Sequence, residues 1–402
     1  MIKKIDKKNK FVSVFDPSSG FYARSGIIER KEPEIDPFND CEEIITNPNL
    51  VFQNNILSIL QISKFLQEGP IQKGIETDKE PFMASFPELL DIGIMKTCVC
   101  AHKCNVDCYQ KAISRTGKNM SVSDFEWILK EANGRMLQAA LGGSGDPDTH
   151  ENFEEILSLC KDYHVVPNFT TSGILMTKEK AELCKKYCGA VAVSEHFSEY
   201  TDKAIELLLE ADVKTNIHYV LSKKTIDRAI ELLKTNSFRT GINAVVFLLY
   251  KPVGLGKDEY VLRPDDDKVK EFFSLIDSGK FHHKIGFDSC SCSGIVNYTN
   301  HILNESLDFC EGGRFSAYID TDMNMMPCSF ANQDKRWHMS LREHTIEEVW
   351  NSDIFNKFRY SLFHSCPNCK NRDMCAGGCP LINRITLCNR SERKFAPNGL
   401  EL

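Results

Sequence analysis

Thirteen of the chain's 17 cysteines fall in two dense tracts. The first, CVCAHKCNVDCY, holds Cys98, Cys100, Cys104 and Cys108. The second runs from Cys290 and Cys292 through Cys310 and Cys328 to the series Cys366, Cys369, Cys375, Cys379 and Cys388. Closely spaced thiols in a reducing compartment stay reduced and present thiolates to a soft metal instead of pairing as disulfides. The layout therefore points to several iron–sulfur clusters and to redox or radical chemistry. Cys41, Cys160, Cys184 and Cys188 stand apart and read as small apolar residues on helices or loops.

Such ligands need a frame, and from residue 88 the chain alternates apolar β-rich runs with amphipathic helical ones, the pattern of βα units around a parallel sheet. Strands are predicted at ELLDIGIM (88–95), RMLQAALGG (135–143), VVPNFTTSG (165–173), GAVAVSE (189–195), KTNIHYVLS (214–222) and GINAVVFLLY (241–250). Helices are predicted between them in SVSDFEWILKEA, HENFEEILSLCKDY, TKEKAELCKKY and TIDRAIELLK, some behind Ser or Thr caps. About six units are fewer than the eight of a closed βα barrel. After residue 285 the periodicity fades into cysteine-studded segments, as expected where metal sites replace part of a hydrophobic core. Residues 1–85 read as a preface, with two short strands around an Asp-Pro-Ser-Ser-Gly turn and a helix near NNILSILQISKFLQE. The expected division is an N-terminal extension over 1–85, a core barrel over 86–285 and a cysteine-rich domain over 286–402.

Cys100, Cys104 and Cys108 follow the first predicted barrel strand, at the carboxyl end where βα folds place their active-site loops. Three thiolates can hold three irons of a [4Fe–4S] cluster and leave the fourth open, which is useful only to a catalyst. By itself this tract fits a structural zinc knot equally well. The tract resembles the radical S-adenosylmethionine (SAM) superfamily, whose usual motif is Cys-x3-Cys-x2-Cys with an aromatic residue near the last cysteine. Here the spacing is Cys-x3-Cys-x3-Cys followed by Tyr109, and Cys98 is a further candidate that could replace Cys100.

The second strand runs into LGGSGDPDTHE, where Gly142 and Gly143 let backbone amides approach a ligand closely. This resembles the superfamily's Gly-Gly-Glu motif, which binds the methionine amino group of SAM; Ser144 follows, and Asp146 stands where it could do the work of the Glu. Thr170, Thr171, Ser172 and Ser194 offer hydroxyls at the ends of the third and fourth strands. In the superfamily such residues contact the nucleoside and methionine parts of SAM, although each is also an ordinary cap or turn former. His218, on a predicted buried strand, could line the cavity, although most such histidines are hydrogen-bonded core residues, and it is given no role.

The C-terminal spacing Cys366-x2-Cys369-x5-Cys375-x3-Cys379 resembles the SPASM domain, an extension of peptide- and protein-modifying radical SAM enzymes that carries two auxiliary [4Fe–4S] clusters. Carried over by motif, Cys366, Cys369, Cys375 and Cys388 would hold auxiliary cluster II. Cys310, Cys328 and Cys379 would hold cluster I, with Cys290 or Cys292 as fourth ligand. The usual glycine five residues before the second cysteine is Met323 here, so the local turn is expected to differ. A zinc ribbon would leave Cys310, Cys328 and Cys388 unexplained.

The resemblance implies an α/β fold: a partial (β/α)6 radical SAM barrel, an N-terminal α+β extension and a C-terminal SPASM domain. It also implies reductive cleavage of SAM to a 5′-deoxyadenosyl radical that abstracts hydrogen from a ribosomally made peptide, forming a thioether or carbon–carbon crosslink. The partners implied are a peptide or protein substrate and a flavodoxin- or ferredoxin-type electron donor. Two alternatives stand beside it: an anaerobic sulfatase-maturing enzyme, which typically has Asp where this chain has Ser329, and a non-catalytic iron–sulfur electron carrier. With 402 residues, 42% apolar composition and a net charge of −7, the chain is long enough for a full core and lacks the basic surface of a nucleic-acid binder. No apolar stretch approaches bilayer length, so a cytoplasmic protein with no membrane partner is expected.

Overall fold

A computed structural model of the chain describes residues 2–26, 45–46, 82–302 and 306–389, apart from 101–102, 105, 111–116, 365 and 367. The N-terminal strands are β1 (Ile2–Asp6), β2 (Phe11–Asp16), β3 (Phe21–Gly26) and β4 (Ile45–Thr46), in a sheet of order β3-β2-β1-β4. The two expected strands are β2 and β3. Asp16 forms their turn by accepting the backbone N–H groups of Ser18 at 3.2 Å and Ser19 at 3.0 Å, and Gly20 closes it at φ +76°. The helix expected near residues 54–68 lies outside the described residues.

The central sheet holds β5 (Leu89–Met95), β6 (Gln138–Gly143), β7 (Val166–Thr171), β8 (Ala190–Ser194), β9 (Thr215–Leu221), β10 (Ala244–Leu249), β11 (Lys284–Phe287), β12 (Ser316–Ile319), β13 (Asn324–Met326) and β14 (Met339–Ser340). Its order is β11-β10-β9-β8-β7-β6-β5-β12-β13-β14, and it is parallel from β11 through β12. All six expected strands form, and β11 adds a parallel strand where the sequence periodicity was fading. The helices Val122–Ala132, Lys178–Tyr187 and Glu199–Glu210 start behind the caps Ser121, Thr177 and Ser198, each accepting an N–H from the first turn. Among the described residues no helix is long and apolar enough to cross a membrane.

The period-2 alternation of each strand separates two environments. On β9, Ile217, Tyr219 and Leu221 are buried in the core, whereas Asn216 and His218 face the barrel lumen. Gln138 and Ala140 on β6 and Asn168 and Thr170 on β7 do the same. The lumen is therefore lined with small and polar groups and stays open as a cavity.

Strand β12 joins the barrel beside β5, in parallel register, and turns back into β13. In that turn Met323 adopts φ +64°, the left-handed conformation that glycine takes without penalty. Asp320 supports it by accepting the N–H groups of Asp322 at 2.9 Å and Asn324 at 2.8 Å. The strain costs about 1–2 kcal/mol, and burying the Met323 side chain in the main core returns about 1.5–3 kcal/mol.

A buried ionic network ties the N-terminal sheet to the rest. Arg24 on β3 reaches Glu88 at 3.1 Å, Asp308 at 3.0 Å and Glu311 at 2.9 Å. Burial pushes the Glu88 carboxyl up, but Lys4, Arg24 and the hydroxyls of Ser13 and Tyr22 outweigh it and hold the group below the usual carboxylate range. Removing one partner from such a set strands a buried charge, so Arg24→Leu should destabilise the protein by about 3 kcal/mol in urea unfolding. Because the folded-state value is depressed, this contribution is present above the unfolded pKa of Glu88. It is lost as pH falls through the folded value, and the gap between wild type and variant should narrow in acid.

Candidate active site

A cavity of about 1970 Å³ runs through the barrel lumen. Its upper wall is the first cysteine tract: Cys98, Cys100, Cys104 and Cys108 all border it. The tract turns on itself through the Cys100 carbonyl, which accepts the N–H groups of Lys103 at 2.9 Å and Cys104 at 3.1 Å. Burial, then the nearby Asp146, pushes the Cys100 thiol up to about 12; burial also raises Cys104, to about 11. Clustered thiols that cannot easily ionise alone suit a bound cationic centre, which supplies the missing positive charge. Both Cys98 and Cys100 face the cavity, so the two ligand triplets remain alternatives.

The glycine loop lies directly on this tract. Gly143 adopts φ +118°, and a Cβ there would collide with the Met95 backbone; one at Gly145 would collide with the Thr97 carbonyl. Ser144 N–H donates to the Met95 carbonyl at 2.7 Å. Asp146 accepts the Ser172 N–H at 2.9 Å and the Ser172 hydroxyl, while burial and then Asp148 push its carboxyl up to about 6. The structure thus brings Gly142, Gly143, Ser144, Asp146 and Ser172 to one place beside Cys100.

Thr171 and Ser194 also border the cavity. The Thr171 hydroxyl, however, is engaged by the Gly173 N–H at 3.0 Å and supports the turn after β7. Thr170 points into the lumen and pairs with His218 Nδ1 at 3.1 Å. His218 does line the cavity, as its strand position allowed; burial depresses its pKa to about 4 and keeps it neutral. Asp91 on β5 and Lys251 after β10 line the cavity too, and the sequence reading passed over both. The strand alternation places Asp91 on the same face as these lumen residues.

The distant cysteines form two further groups. Cys366, Cys369, Cys375 and Cys388 surround one small cavity with Val296 and Asn297. Cys290 contacts the Cys379 thiol and shares its surroundings with Cys310 and Cys328; contact with Cys379, then burial, raises it, and burial raises the other two. Cys292 belongs elsewhere: its thiol donates to the Met374 carbonyl at 3.0 Å, beside Cys375. Among the described residues, no three His, Cys, Asp or Glu side chains converge as tightly as one shared ion requires. The four thiols around that small cavity could each take one iron of a polynuclear cluster.

Residues 310–375 match the SPASM iron–sulfur cluster-binding domain. Over 325 residues the chain is 22% identical to the mycofactocin maturase MftC of Mycolicibacterium smegmatis, covering 73% of this chain and 80% of the relative. It is 20% identical to the PqqA peptide cyclase of Gluconobacter oxydans, covering 69% and 83%. The crystal structure of Streptococcus suis SuiB superposes with a TM-score of 0.63 at 17% identity, covering 100% of this chain and 99% of that one. At such identities the structural likeness establishes the fold.

Proposed function

We propose that this chain, a radical SAM enzyme with a C-terminal SPASM domain, is a maturase that crosslinks a ribosomally made peptide through a thioether or carbon–carbon bond. The observation that carries this reading is the cavity. One wall holds the cysteine tract and glycine loop, another ends at Ser329 and Phe330 beside Cys328, and the volume of about 1970 Å³ exceeds the usual 300–1,000 Å³ of a small-molecule pocket. A peptide segment could enter beside SAM. The named roles of the relatives support it: one is a maturase, one a peptide cyclase, and SuiB has been crystallised with SAM and with its precursor peptide SuiA.

In this reading Cys104 and Cys108, with Cys100 or Cys98, hold the SAM-site [4Fe–4S] cluster. When bound and reduced, that cluster supplies the electron that cleaves SAM to methionine and a 5′-deoxyadenosyl radical. The Gly142–Gly143 backbone and Ser144 would cradle the methionine end of SAM. Asp146 holds the loop to Ser172 and would receive the amino group, and Ser172, Thr171 and Ser194 would contact the nucleoside. Cys290, Cys310, Cys328 and Cys379 form the set for auxiliary cluster I; Cys366, Cys369, Cys375 and Cys388 form the set for cluster II. The lumen side chains exclude water and hold the target carbon near the radical. A flavodoxin- or ferredoxin-type protein would supply electrons in the cytoplasm.

Within residues 1–85, the N-terminal sheet would recognise a leader segment by adding it as a further strand at a sheet edge. Deletion of 1–85 without loss of peptide binding would remove that part. The test of the whole is anaerobic reconstitution with iron, sulfide, dithionite and SAM. 5′-Deoxyadenosine should form, and a candidate precursor from the gene neighbourhood should lose two hydrogens by mass. Absence of 5′-deoxyadenosine from fully loaded protein would favour an electron carrier.

A further inference from the structure

Asp91 occupies the lumen face of β5, between Leu90 and Ile92, which are fully buried on the other side. Its carboxylate meets both halves of the site. A Cβ on Gly142, in the glycine loop, would lie 3.5 Å from Asp91 Oδ1. On the other side Asp91 lies near Ser329, the residue after Cys328, and both line the cavity. Facing it are Tyr109 from the loop after the first tract and Tyr318 from β12; Gln110 donates to the Tyr318 hydroxyl at 3.5 Å. Among the described residues no Lys, Arg or His contributes to its electrostatics, and burial pushes its carboxyl up to about 7 despite Ser329.

The other carboxylates bordering the cavity are committed or remote. Asp146 is bound through both oxygens by Ser172. Glu195 pairs with Arg239, Asp288 with Lys251 and Asp107 with Lys224, and Glu199 is exposed at the mouth. Asp91 alone among them is enclosed, lacks a cationic partner and lies between the SAM loop and the auxiliary-cluster ligands.

We propose that Asp91 accepts the proton that the peptide loses when its new bond forms. The inference rests on the maturase reading above. In the step, a peptide C–H gives a hydrogen atom to the 5′-deoxyadenosyl radical. The attacking group, a thiol or a second carbon, forms the new bond and gives its proton to the Asp91 carboxylate. The one remaining electron leaves to an auxiliary [4Fe–4S] cluster, so the peptide loses two hydrogens in all.

The test uses the loaded full-length enzyme with its precursor peptide. For Asp91→Asn, the ratio of crosslinked peptide to 5′-deoxyadenosine should fall about 100-fold, the usual size of a lost general base. The double variant D91S/S329D, which moves the carboxylate to the neighbouring side chain, should recover at least about tenfold of that ratio. A readout that needs no turnover is the wild-type minus Asp91→Asn difference in the infrared band of protonated carboxylic acids: it should show a component that fades as pH rises through neutrality. A ratio unchanged in Asp91→Asn would overturn the proposal, as would the absence of that component from the difference. Loss of iron and SAM binding in Asp91→Asn with no recovery in the double variant would assign Asp91 a structural role and also overturn it. Wild-type protein that forms no 5′-deoxyadenosine would instead sink the maturase reading itself.

Discussion

Cys104→Ala should abolish 5′-deoxyadenosine formation, a loss of at least about 1000-fold, while removing only about one-third of the bound iron. Cys104 belongs to either triplet, lies beside Cys108 and Asp146, and sits in a backbone turn fixed by the Cys100 carbonyl. Two remaining thiolates cannot hold a cluster that must also keep one iron open for SAM. The auxiliary groups are built from other segments, so their iron should stay. Iron and sulfide analysis with electron paramagnetic resonance of the reduced protein reads the cluster loss, and chromatography of the nucleoside reads the activity. The same measurements on Cys98→Ala and Cys100→Ala decide the triplet: the ligand variant should match Cys104→Ala, and the other should retain cleavage. A Cys104→Ala protein that still cleaves SAM would remove the tract from the mechanism.

The second large effect separates two cysteines that are neighbours in sequence. Cys290→Ala should cost about one-third of the iron and nearly all crosslinked product, because Cys290 contacts Cys379 and shares its surroundings with Cys310 and Cys328. Cys292→Ala should keep the full iron complement. It forfeits a thiol bond to the Met374 carbonyl and a little packing, about 1 kcal/mol, visible as a small shift of the urea midpoint. An equal loss of iron from both variants would place the two cysteines in one set and contradict the arrangement described here. Lys251 lies close to this set, paired with Asp288 and over the Phe330 ring at 4.8 Å, so Cys290→Ala should also perturb the floor of the cavity.

Much of this was legible beforehand because local chemistry carries it. The alternation in KTNIHYVLS and its fellows specifies strands whose two faces meet different environments, and the amphipathic runs between them specify helices that cover one of those faces. Both are properties of a few consecutive residues. Asp91 shows the limit: the period placed it on a face, but only the curvature of the sheet made that face a lumen. Likewise Met323 broke the expected turn signal, yet Asp320 and burial of its side chain held the turn.

By itself the sequence determined the barrel strands, the first cysteine tract and the compact C-terminal series, since in each the interacting residues lie within one short segment whose spacing constrains them. Only the tertiary structure decided that β12 joins the sheet beside β5, that Cys290 and not Cys292 meets Cys379, and that Asp91 lies near Ser329. Those contacts join residues far apart along the chain, and they are fixed by which surfaces bury together when the sheet closes around its cavity. Residue spacing carries no record of that choice.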